Sequence, residues 1–170
     1  MKTLVWSLAG LLAMGAPSVH GEEKNGLSLS VSRKTLERAD SRRTYYGYDR
    51  IDRTQGLKAT IKNVSFKPMP AGEVEWTLLV RKHNSTFIER FTGKEKLQAL
   101  KPAETAELVL GAAQITGYRD WYDQAKDKLE YRVIVNQGGK ETIRTTSTSA
   151  FDAVAKRAQI KTVAPDAGAK

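Results

Sequence analysis

The chain has 170 residues, no cysteine, 28 Lys and Arg against 19 Asp and Glu, and a net charge of +9. That length suits one domain, and the missing thiols exclude cysteine nucleophiles, Cys-ligated zinc and dithiol redox chemistry. A positive balance points toward anionic partners such as acidic glycans, membrane surfaces or nucleic acid, and the placement of the charges has to choose among them.

Residues 1–21 read as a secretory signal peptide. Lys2 precedes an apolar run from Leu4 to Met14, a Gly/Pro break follows, and Val19 and Gly21 stand ahead of Glu22 and Glu23. A spanning helix needs about 20 apolar residues, and no later run approaches that. The expectation is cleavage near Gly21 and a soluble product, secreted or periplasmic, with no transmembrane segment. Residues 22–160 form the expected single domain, large enough to bury a core without disulfides. Residues 161–170, small, polar and broken by Pro and Gly, are expected to be a disordered tail.

Between those limits the pattern is period-two alternation punctuated by Gly, Pro and Asn, as in short antiparallel strands. The stretch "LSLSVS" sets Leu27, Leu29 and Val31 on one face. Residues 33–43, "RKTLERADSRR", are highly charged and read as a connection or helical turn. The stretch "RRTYYGYDRIDR" then combines Tyr45, Tyr46 and Tyr48 with Arg42, Arg43, Arg50 and Arg53, and its latter half leads into Leu57, Ala59 and Ile61. After "FKPMPAG", Val74, Trp76, Leu78 and Val80 align, with Trp76 at a core position. "TFIERF" is a more polar strand, and Ala106, Leu108 and Leu110 alternate after a Lys-Pro turn. Tyr118, Trp121 and Tyr122 recur at helical spacing and predict a short helix near 117–127. Leu129, Tyr131, Val133 and Val135 lead into "NQGG", a hairpin turn tolerant of positive φ, and Thr142 to Thr145 return. Phe151, Val154, Ala155 and Ala158, with Ser149 available as N-cap, predict a second helix near 150–159.

About seven short strands over this span predict an all-β fold, a two-sheet antiparallel immunoglobulin-like sandwich. Tyr131, near the start of the penultimate strand, is placed to tie the preceding connection to the sheet through its hydroxyl. The run "LKATIKNVS", "PAGEVEWTLLV", "LKPAETAEL", "YRVIVNQGGKE" resembles bacterial extracellular immunoglobulin-like and fibronectin-III-like modules, including cell-adhesion-related domains, over about residues 57–143. The chain departs from that pattern at Ala103, where the turn usually carries Gly. The resemblance implies binding, adhesion or assembly at the envelope, as in pilus-like appendages, and rarely catalysis; fold alone does not transfer function.

The residues offer no supported catalytic set. His83 in "RKHNST" reads as a loop histidine with no nucleophile motif beside it. Asp120, Asp123 and Asp127 read as a solvated helix face. "QGGK" lacks the flanking residues of a phosphate-binding loop, and no metal or cofactor is expected. The sequons at Asn63 and Asn84 predict exposed loops. Two aromatic and basic clusters remain as candidates for a ligand or partner: Tyr45, Tyr46, Tyr48, Arg50 and Arg53, and Tyr118, Trp121 and Tyr122. The first has the composition of a platform for anionic polymers, and the rings of the second suit stacking on sugars. In an exported protein the partner expected is an envelope protein, with an acidic or mucin-type glycan as the alternative; nucleic acid is not expected, and self-association is compatible with either.

Overall fold

The computed structural model describes residues 20–41, 49–83, 85–119, 126–156 and 160–162. Trp121, Tyr122, Tyr45, Tyr46, Tyr48, Asn84, the apolar leader before His20 and the tail beyond Thr162 lie outside the described residues.

Nine strands and one short helix make up the described chain: β1 (His20–Lys24), β2 (Leu27–Ser41), β3 (Asp49–Asn63), β4 (Gly72–Arg81), β5 (Ile88–Leu97), β6 (Thr105–Arg119), β7 (Lys128–Gln137), β8 (Lys140–Thr146), α1 (Phe151–Ala155) and β9 (Ile160–Thr162). They form a four-stranded sheet, β1-β2-β3-β6, facing a five-stranded sheet, β8-β7-β4-β5-β9. All pairings are antiparallel except β5 with β9. This is an immunoglobulin-like sandwich in which β5 lies beside β4, on the opposite sheet from β6.

The alternating stripes meet between the sheets. Leu27, Leu29 and Val31 of β2, Leu57, Ala59 and Ile61 of β3, Val74, Trp76, Leu78 and Val80 of β4, and Leu129, Tyr131, Val133 and Val135 of β7 are all buried in one core. Trp76 fills its centre beneath Gly93 and Gly111, where an added Cβ would come within 2.3 and 2.7 Å of the indole. The turn after β7 uses the freedom its glycines allow, with φ of 57° at Gly138 and 75° at Gly139.

Four expectations are corrected. Residues 33–41 are strand, not connection, because β3 supplies a ladder partner as far as Ser41 opposite Arg50; cross-strand pairing overrides the polar composition. The ends of the expected 117–127 helix are extended: Gly117, Tyr118 and Arg119 pair with β3, and Lys126 bridges back to Gly117. A short aromatic run matched helical spacing there, and the available edge of β3 decided otherwise. Lys161 and Thr162, assigned to the tail, pair with β5. The second helix is present but spans only five residues, packing Phe151 and Val154 with Leu79 and Ile88 on the outer face of the second sheet, and its N-cap is Ala150 with no side-chain cap.

The long strands of the first sheet carry a line of irregularities. Register shifts fall between Thr35 and Glu37 in β2 and between Gln55 and Leu57 in β3, where Gly111 and Ala112 of β6 oppose Gly56. Gly111 has φ +62°, and a Cβ on Gly56 would meet the Gly111 carbonyl at 2.5 Å. These bulges preserve inward alternation while bending the strands. Beyond them β2, β3 and β6, each 15 residues long against 10 for β4 and β7, continue as an extension.

Candidate binding site

The inward stripe of β3 does not stop at the bulge. Leu57, Ala59 and Ile61 are succeeded, toward the strand's start, by Gln55, Arg53 and Ile51, and that of β2 by Arg33 after Val31. On β6, Ile115 and Gly117 hold the equivalent places. These residues form one wall of a cavity of about 360 Å³ whose other wall is Lys126, Asp127 and Leu129 at the start of β7, with Tyr118 at the margin. The core stripe thus changes from aliphatic to guanidinium just where the facing sheet gives out.

Three of the candidates named from sequence, Arg50, Arg53 and Tyr118, fall on the paired strands β3 and β6. Arg50 lies opposite Tyr118, and Arg53 opposite Ile115. Their environments differ. Arg50 Nε sits 2.9 Å from Asp52 Oδ2, and Asp52 Oδ1 accepts a 2.7 Å hydrogen bond from Thr116 Oγ1. Arg50 therefore belongs to a polar ladder on the extension. Arg53 faces the cavity, and its Nε is buried with no hydrogen-bond partner among the described residues. Arg33, an exposed side chain, donates from Nη2 to the Leu129 carbonyl, so it bridges the two sheets beside the cavity.

Asp127 is the structural hub beside this cavity, and sequence reading missed it. Its side chain is 1% exposed. Oδ1 accepts from the His83 backbone N–H at 3.0 Å and lies 3.2 Å from His83 Nδ1, while Oδ2 accepts from the Thr116 N–H at 3.0 Å and lies 3.2 Å from Lys82 Nζ. Burial pushes this carboxyl up, but the N–H groups of Thr116 and His83 and the side chains of His83 and Lys82 together hold it below the usual carboxylate range. His83 is accordingly not a solvated loop histidine; it is half-buried and stacks edge-on to Tyr118, with ring centroids 4.9 Å apart. The motif was invisible in sequence because its members lie on three elements, and Asp127 was grouped with Asp120 and Asp123 on an expected helix, whereas its own N–H donates to the Thr116 carbonyl of β6.

Among the described residues no group of three or more His, Asp or Glu side chains comes together to hold a metal ion, and no helix is long and apolar enough to cross a membrane. Arg33, Arg53 and Lys126 line a cavity in which Asp127, the one carboxylate among its described lining residues, is already committed to its neighbours.

No protein-family model matches the chain, and no curated protein does. Among solved structures, it is similar to a protein from Akkermansia muciniphila at 11% identity and TM-score 0.38, covering 85% of this chain and 84% of that one. It is also similar to part of a Bacteroides uniformis β-glucuronidase at 12% identity and TM-score 0.37, covering 68% of this chain but only 12% of that one. Likeness at this level says nothing of function, and the fold assignment stands on the chain's own strand order and register.

Proposed function

We propose that the protein is a non-enzymatic immunoglobulin-like module of the bacterial envelope, exported by its N-terminal leader, which binds a protein partner through the extended end of its first sheet. The observation that carries this reading is the meeting of Arg53 on β3 and Tyr118 on β6 at a cavity that reaches across to the start of β7. Inward-facing charge at the end of a core stripe is costly for folding and contributes readily to recognition. Assembly of a surface appendage or adhesion is the setting that the resemblance in residues 57–143 suggests.

Cross-linking with mass spectrometry on intact cells tests it. The proposal expects an envelope protein joined to residues of the β3–β6 end; recovery of uncross-linked monomer alone counts against it. The cationic lining also favours a second reading, an acidic glycan. A glycan array that binds the wild type at low salt and fails to bind a Tyr118→Ala, Arg53→Ala variant would favour that reading instead.

A further inference from the structure

We propose that the cavity between the extension and the start of β7 is a site for a carboxylate carried on an apolar group, such as the free C-terminus of a partner chain ending in an aliphatic or aromatic residue. The inference rests on the binding reading above and names the chemistry of its central contact.

The lining argues for the charge. Arg33 and Arg53 project from inward positions of β2 and β3, Lys126 stands at the opposite wall, and Arg53 Nε is a buried donor without a partner among the described residues. A guanidinium presents its N–H groups in a planar fork that matches the two oxygens of a carboxylate, which makes Arg53 the natural anchor. The competing anion inside the protein is spent: both Asp127 oxygens already face two donors each, from His83, Thr116 and Lys82.

The rest of the lining argues for the apolar body. Ile51, Ile115 and Leu129 face the same space. A sugar acid would bring several hydroxyl donors, each of which needs an acceptor when buried. Among the described lining residues, with Asp127 committed, the remaining side-chain acceptors are Gln55 and the Tyr118 hydroxyl. A hydrocarbon group with a single carboxylate brings no hydroxyl donors, a peptide terminus brings one N–H for those two acceptors to meet, and either supplies the acceptor that Arg53 Nε lacks. The volume, about 360 Å³, lies within the range of small-ligand pockets and exceeds what one acidic side chain fills.

Titrations of the purified, isotope-labelled protein, read by amide chemical shifts, test this with four probes: 3-phenylpropanoate, an acetylated peptide ending in Ala-Leu with a free carboxylate, the same peptide amidated, and glucuronate. The expected result is saturable shifts at Ile51, Arg53, Ile115 and Leu129 for the two apolar acids and none for the amide or glucuronate. Arg53→Met should weaken binding at least about tenfold, and Arg53→Lys, which keeps the charge but removes the Nε donor and the fork, should weaken it too; each variant's dispersed spectrum confirms that it folds. Equal binding of the amide or of glucuronate, unchanged affinity in both variants, or no saturable shift with either acid would overturn the assignment. Binding of 3-phenylpropanoate but not of the peptide would keep the carboxylate site while removing the protein C-terminus as its occupant. Cross-linking to an envelope partner without any of these shifts would overturn this inference and leave the broader binding reading standing.

Discussion

Asn63 shows how far a single residue's role can lie from its local motif. In the sequence it opens "NVS" and reads as an exposed acceptor; in the fold it is fully buried. Its Nδ2 donates to the carbonyls of Lys67 at 2.8 Å and Leu100 at 3.1 Å, and its Oδ1 accepts from the backbone and hydroxyl of Ser65 at 2.9 and 2.7 Å. The missing information was long-range, since the Leu100 partner sits 37 residues away. Asn63→Ala strands several buried polar groups at once and should destabilise the protein by about 3 kcal/mol, measured by urea unfolding. Across the same junction, Ala103 donates its N–H to the Asn63 carbonyl with φ +64°, left-handed backbone that a side chain resists. Here the sequence did carry the signal, because Ala stands where the resembling modules place Gly. Ala103→Gly should raise stability by about 1 kcal/mol in the same assay.

Among the elements, the apolar strands were readable and the extension was not. Leu27 to Val31, Leu57 to Ile61 and Leu129 to Val135 alternate cleanly, and all lie in the core. The polar halves of β2 and β6 carry no such stripe, so only their pairing with β3 shows that they are strands. What fixes the extension to the second sheet is Asp127, joined to the end of β4 through Lys82 and His83 and to β6 through Thr116. Because its folded-state affinity for a proton is lowered, the Asp127 contribution is fully present above the ordinary carboxylate pKa of about 3.9 and is lost as pH falls through the lower folded value. Wild-type stability should therefore drop below about pH 4, and Asp127→Asn should remove that part of the acid dependence. At neutral pH the same substitution should cost about 2 kcal/mol, since an amide cannot accept on both sides as the buried carboxylate does from the His83 and Thr116 N–H groups, while Lys82 keeps Glu89 and the Gln114 carbonyl. Thermal melts from pH 2.5 to 7 on both proteins check the sign and the size.

At the scale of the whole molecule, two further hydrogen bonds, beside those of Asp127, link the sheets near the cavity. Tyr131, expected to tie down the connection before its own strand, sends its hydroxyl across the core to the Val31 carbonyl at 3.2 Å, while Arg33 returns from β2 to Leu129 of β7. Burial raises the Tyr131 phenol above its usual value, against the opposing pull of Arg33. Its neutral form is therefore the one the fold favours, with that stability present below about pH 10 and lost as pH rises through the raised value. Tyr131→Phe should cost about 1 kcal/mol, the net worth of a buried hydrogen bond, and be read in the same unfolding assay. These ties lie beside a cavity whose described lining is cationic and apolar together, the feature on which the functional account depends. A photoreactive phenylalanine analogue placed at Tyr118, with a control at Lys140 in the β7–β8 hairpin, tests that account most directly in cells that express the protein. The account predicts a discrete protein adduct from position 118 that Arg53→Met diminishes, and none from position 140; equal labelling at both positions, or adducts from position 140 alone, would contradict it.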